Sequence, residues 1–103
     1  MRFAWYQSGD LFGIRYWLAY GEKIPVHAHQ AEFEHNIIVV YGTVRLDLEN
    51  QDVLLTGTVH DFNGKQSHSI TCMSNSAETL HLFLHGIPPG YADLPESERS
   101  GTL

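Results

Sequence analysis

Along most of this chain apolar residues recur at every second position, and no window carries them at the three-and-four spacing of an amphipathic helix. Successive side chains of an extended strand point to opposite faces, so such a pattern buries one face of a strand and cannot form the stripe of a helix. The chain is therefore expected to be all-β. In "FGIRYWLAY" the set Ile14, Tyr16, Leu18 and Tyr20 is expected to face the core, with Arg15 and Trp17 outward. "NIIVVYGTVRLDL" reads as two strands meeting at Gly42, with Val44, Leu46 and Leu48 inward and Arg45 and Asp47 outward. "ENQD" turns the chain into a further strand, "VLLTGTV", and the Asn63-Gly64 pair marks a tight turn, since both residues tolerate positive φ. "HSITCM" and "TLHLFLHGI" are the closing strands, joined by the polar "SNSAE". Short strands at regular spacing with Gly-containing turns imply a sandwich or small barrel.

The 103 residues suffice for a single core and are read as one domain, 1–103. From Gly86 onward alternation fades and three of the four prolines gather, so 87–103 is expected to be an extended tail that could lie along a neighbouring subunit. The net charge is -6 and no basic run occurs, which argues against nucleic acid as a partner. Cys72 is the only cysteine, so no intrachain disulfide is possible and a reducing compartment fits. "MRFAWYQSGDLFGIRYWLAYGEK" has no basic flank leading into an apolar run, and Asp10 and Arg15 interrupt it well short of a membrane span. A cytoplasmic protein with no membrane partner is expected. The aromatic "MRFAWY" together with an outward Trp17 points to a subunit interface, and hence to a homodimer.

"HAHQAEFEH", residues 27–35, holds three of the seven histidines and two glutamates. His27 and His29 are two apart, so on a strand both project from one face, the spacing that two ligands of one ion require. Next in the chain come two acids, Glu32 and Glu34, and then His35. If His35 points inward, so do Ile37, Val39 and Tyr41. If Glu34 does, so do Asn36, Ile38 and Val40, which puts an amide in the core. The first set is the cleaner, which favours His35 over Glu34 as the inward residue. His68 opens a strand whose alternating set continues with Ile70 and Cys72, placing a further inward histidine.

The run from Gly21 through five residues to His27 and His29, then an acid or histidine and a β-branched strand ending at Gly42, resembles the first motif of the cupin superfamily. The proline of "KIPVHAH" fits the lead-in to that family's metal-binding strand. The family's acidic ligand falls on Glu34 counting forward from His29, and on His35 counting back from Gly42. The second motif is matched by Gly64 and His68, with three residues between them, Asn63 near the place of the family's proline and Cys72 in the place of its asparagine. The resemblance spans about residues 12–86 and implies a double-stranded β-helix, a jelly-roll barrel with a metal inside held by His27, His29, His35 or Glu34, and His68. Three or four neutral imidazoles suit a divalent transition metal such as Fe, Mn, Ni, Co, Cu or Zn rather than Ca or Mg.

The other histidines are given plain roles: His60 at the surface or a strand edge, His81 and His85 outward with Phe83 if Leu80, Leu82 and Leu84 fill the core. The opposite register would send His81 or His85 to the pocket. Cys72 reads as a small core filler and no serine sits in a nucleophile-elbow context. Arg15 and Arg45 face outward and Lys23 and Lys65 lie in loops, so no fixed cation waits inside to clamp an anion. A small neutral or aromatic substrate that ligates the metal itself is expected, with Tyr16 and Tyr20 as candidates for polar contact or proton transfer. The resemblance covers oxygenases, isomerases, lyases and non-catalytic binders; an oxygenase-type enzyme is the first expectation, and a ligand-binding or sensing module, or an isomerase or lyase, the alternative.

Overall fold

A computed structural model describes residues 1–9, 11–27, 35–62, 67–83 and 100–102. Within them the chain is all-β, with ten strands: β1 (Arg2–Ser8), β2 (Leu11–Ala19), β3 (Lys23–His27), β4 (His35–Tyr41), β5 (Thr43–Leu48), β6 (Asp52–Thr56), β7 (Val59–Phe62), β8 (His68–Cys72), β9 (Ser76–Phe83) and β10 (Ser100–Thr102). They form a six-stranded sheet in the order β10-β1-β2-β9-β4-β7 and a four-stranded sheet in the order β3-β8-β5-β6. All pairings are antiparallel. Consecutive strands repeatedly change sheet, as between β4 and β5 and between β8 and β9, so the chain winds around one interior. Among the described residues, no helix is long and apolar enough to cross a membrane.

Glycine sets two of the crossings. At Gly42 φ is +80°, and an added Cβ would collide with the Ser76 carbonyl oxygen and lie 2.8 Å from Ala77 Cα, so only glycine takes the chain from β4 to β5. The stretch read as one strand, "VLLTGTV", is instead two, β6 and β7, broken at Gly57 with φ +51° because they belong to different sheets.

Two clusters fill the interior. An aliphatic one gathers Leu18, Ile24, Ile37, Val39, Val44, Leu46, Leu55, Ile70, Cys72 and Ala77 from both sheets. An aromatic one, Trp5, Phe12, Ile14 and Phe83, lies on the six-stranded sheet, where the Phe12 ring is tilted against Trp5 at 5.1 Å and Phe83 at 5.5 Å. Trp5 thus serves the chain's own core rather than a subunit contact. The sheet also takes in β1 and β10, beyond the 12–86 span of the resemblance. Ser100–Thr102, read as tail, pairs with Arg2–Ala4 of the same chain and covers that edge of β1. The rest of the tail, the Asn63-Gly64 turn, Lys65 and His85 lie outside the described residues.

Several faces follow the alternation and several do not. Ile14 and Leu18 are buried and Tyr16 is half-buried, but β2 ends at Ala19, which leaves Tyr20 in the turn, 68% exposed. Tyr20 therefore does not reach the interior. Ile37 and Val39 are buried, yet Tyr41 is exposed: Val39 pairs with Thr79 and Tyr41 with Glu78, so one extra residue in β4 reverses the face between them. Lys23, expected in a loop, opens β3.

Candidate functional site

Among the expected metal ligands, the side chain of His68 is fully described. It opens β8 and is 1% exposed, on the face that carries Ile70 and Cys72, both fully buried. Across from it runs β3. Ile24 is opposite Ile70, so regular pairing would put Val26 opposite His68 and send His27 to the other face. The register shifts between Ile24 and His27, and His27 is the Cα partner of His68. Pro25 lies in this shift, where a residue without an N–H does least harm, on an edge strand. The bulge therefore makes position 27 the cross-strand partner of His68.

On the six-stranded sheet His35 is the Cα partner of Phe83 on one side and Phe62 on the other. Phe83 is buried, and Ile37 and Val39 of the same parity are buried too, so position 35 falls on the inner face of β4. His29 and Glu34 lie outside the described residues, as do the side chains of His27 and His35. Among the described residues, no three His, Cys, Asp or Glu side chains converge on a point that would hold an ion. The donor chemistry fits a borderline divalent metal: two histidine positions paired across strands of one sheet, and a third position on β4 of the other.

The structure corrects the reading of β9. Ala77, Thr79, His81 and Phe83 are buried, while Glu78, Leu80 and Leu82 lie on the opposite face. His81 and Phe83 are thus inward, and the leucines that were expected to fill the core are not in it. Gly13, opposite Leu82, leaves the space over which Leu82 and Leu80 lie on the outer face, at 3.3 Å and 3.5 Å from where its Cβ would be. Ala77, Thr79 and Phe83 share the parity of His81, and that small, polar and aromatic set was the available signal. His81 Nε2 is 2.9 Å from Thr79 Oγ1, and its ring stands edge-on to Tyr16 at 5.1 Å. Tyr16 is therefore part of the inner wall. His60 is half-buried on the edge strand β7, opposite the buried Ile37.

Cys72 is fully buried, with its thiol donating to the carbonyls of Ser74 at 3.3 Å and Leu18 at 3.8 Å, which suits a core filler. Arg15 and Arg45 both stand on outer faces. Arg15 lies near Glu78 at 3.9 Å and over the rings of Tyr6 and Trp17. Arg45 Nε donates to Asp47 Oδ1 at 2.7 Å, and this bond is the first cause holding the Asp47 carboxyl below its ordinary range and the Arg45 guanidinium above its own. Among the described residues, no cationic side chain of Lys or Arg lies in the buried interior.

No protein-family model matches the chain, and no curated protein matches it. Solved structures do. An RmlC-like cupin protein from Desulfovibrio desulfuricans superposes with a TM-score of 0.73 at 19% identity, over 82% of each chain. An RmlC-like cupin family protein with a double-stranded β-helix fold, from Methanocaldococcus jannaschii, gives 0.70 at 18% identity, over 78% of this chain and 74% of that one. KdgF from a Halomonas species gives 0.69 at 18% identity, over 79% and 74%. At such identities the likeness is one of fold.

Proposed function

For a chain with the cupin fold, a double-stranded β-helix, we propose a small metal-dependent protein, most simply an oxygenase-type enzyme acting on a small neutral or aromatic compound. The ion would be held by His27, His29, His68 and His35, with Glu34 as the alternative to His35. The observation that carries this reading is the β3 bulge, which makes His27 the cross-strand partner of a buried His68 on an otherwise apolar inner face. A buried imidazole such as that of His68 costs desolvation that an apolar side chain would not. A divalent transition metal held this way, with open positions, supplies Lewis acidity and, if redox-active, access to dioxygen chemistry. The chain itself supplies a dry aromatic wall from Phe12, Phe83 and Tyr16, which would seat a planar compound and exclude water. Arg15 and Arg45, on outer strand faces, support neutral over anionic substrates.

Elemental analysis of the purified protein, then oxygen consumption with Fe(II) and a panel of diols, catechols and thiols, tests the proposal. Metal uptake with turnover supports it; metal uptake with ligand binding and no turnover leaves a sensing module. No bound metal after reconstitution overturns it. We also propose a homodimer, carried by the outer face of the six-stranded sheet, where Tyr6, Val40 and Val59 are exposed beside Leu80 and Leu82. Sedimentation at micromolar concentration giving a monomer would count against that assembly.

A further inference from the structure

The line between β2 and β9 divides the six-stranded sheet into two halves, β10-β1-β2 and β9-β4-β7. On the outer face these halves differ in chemistry. Cross-strand register sets that face in rows: Arg2, Trp17, Glu78 and Tyr41 in the first, Ala4, Arg15, Leu80 and Ile38 in the second, Tyr6, Gly13, Leu82 and Asn36 in the third. In each row the first two positions belong to β1 and β2 and the last two to β9 and β4. The β1–β2 half is cationic and aromatic. The Arg2 guanidinium lies 4.5 Å from the centre of the Trp17 ring, and that of Arg15 lies 5.8 Å from the same ring and 5.6 Å from Tyr6. The β9–β4 half is aliphatic in its second row and carries the Glu78 carboxyl in its first. Within the chain Glu78 stays 3.9 Å from Arg15 Nε, beyond hydrogen-bond distance, and that nitrogen is buried with no hydrogen-bond partner among the described residues.

Each half therefore carries what the other lacks. A face packs on its own copy about a two-fold axis lying in the plane of contact, and the direction of that axis decides which charges meet. An axis running across the strands sets every strand against itself and brings the cations of β1 and β2 onto their own copies. An axis along the strands and centred on β9 sets Glu78 against Glu78, and one centred on β2 sets Arg15 against Arg15. Placed on the line between β2 and β9, the same axis exchanges the halves, so that β2 meets the partner's β9 and β1 meets its β4. The partner's Glu78 then comes over Trp17, beside the two guanidiniums stacked on that ring, and the partner's Leu82 comes over Gly13, which raises no side chain. Among these placements it alone opposes unlike charges and covers aliphatic side chains with aromatic ones.

We propose that the occupant of this face is a second copy of the chain, packed outer face to outer face about a two-fold axis that runs along the strands on the line between β2 and β9. This rests on the homodimer proposed above and deepens it by naming the residues that meet. The aliphatic half of each copy is covered by the cationic and aromatic half of the other, which removes Leu80 and Leu82 from water and gives Arg2 and Arg15 a carboxylate from the partner. Two twisted sheets stacked in this way lie with their strands about 30° apart, roughly 10 Å from one another.

Ala4 and Ile38 share a row three strand spacings apart, about 14 Å within one chain. The proposed axis sets Ala4 of one copy across from the partner's Ile38, at about the 10 Å between stacked sheets. In the full-length chain carrying Ala4→Cys and Ile38→Cys together, a bis-maleimide of roughly that 10 Å reach is expected to shift the protein from monomer to covalent dimer on a denaturing gel. Either substitution alone, and the native chain with its buried Cys72, are expected to stay monomeric there. Tyr6→Cys with Asn36→Cys, one row along on the same two strands, repeats the comparison if the first pair does not fold. Sedimentation adds a charge readout: Leu80→Arg is expected to dissociate the dimer at concentrations where Leu80→Glu does not, because position 80 meets the partner's Arg15. Cross-linking of the single variants as readily as the double ones, no cross-link in either double variant of a protein that sediments as a dimer, or equal effects of arginine and glutamate at position 80 would overturn the axis and leave the homodimer standing. A native chain that sediments as a monomer at micromolar concentration overturns both.

Discussion

Gly42 illustrates how a single residue controls the fold. Its backbone combines a left-handed φ with close approach to Ser76 and Ala77, so Gly42→Ala meets both a conformational penalty of about 1–3 kcal/mol and a collision with backbone that cannot rotate away. Thermal unfolding should show a strongly destabilised or unfolded variant, whereas alanine at Gly21, whose Cβ would meet nothing within 4 Å, should keep the fold and pay only the conformational part. Ile70 is fully buried between the sheets, and Ile70→Ala should cost about 2–5 kcal/mol by denaturant titration. His68→Ala tests chemistry rather than packing. On the proposed reading it should weaken metal affinity by more than the roughly 10–100-fold that loss of an outer hydrogen-bond partner costs. Metal content unchanged in that variant would remove His68 from the ligand set.

At the scale of the strand, bulges matter more than propensity. The shift in β3 brings His27 level with His68, and the shift in β4 turns Tyr41 away from the core. On β5 the alternation is undisturbed, with Val44 and Leu46 inward and Arg45 and Asp47 outward. The outward pair has a pH signature. The Arg45 guanidinium depresses the Asp47 carboxyl in the folded chain. Its contribution is therefore present above the unfolded carboxyl value of about 4, and is lost as pH falls through the lower folded value. Urea midpoints of the native chain and Asp47→Asn should differ slightly at pH 7 and converge once pH has fallen through the depressed folded value. A difference that grows on acidification would contradict the assignment.

At the scale of the molecule, the aliphatic cluster shared by both sheets and the aromatic cluster on the larger sheet make up the two described parts of the core. His68, buried on the inner face of β8, is the described member of the proposed ligand set. Metal binding there should couple to global stability, since an ion held by the folded chain stabilises it by mass action. The melting temperature should rise when the metal-free protein takes up its ion and fall again with a chelator. A melting temperature indifferent to every divalent transition metal would speak against a resident ion.

The strand content, the inward faces of β5 and β8 and the pairing positions at Gly42 were legible in the sequence, because alternation and glycine chemistry act over a few neighbouring residues. The position of His68 on an inner face was legible for the same reason. Residues whose face depends on a partner strand were not. Leu80 and Leu82 look like core by hydropathy, but pairing with β2 and β4 gives the interior to Thr79, His81 and Phe83. Tyr20 looks inward by parity until β2 stops one residue short of it. A period-two pattern states that two faces differ, and it is the register against neighbouring strands, with the bulges that adjust it, that decides which face is enclosed.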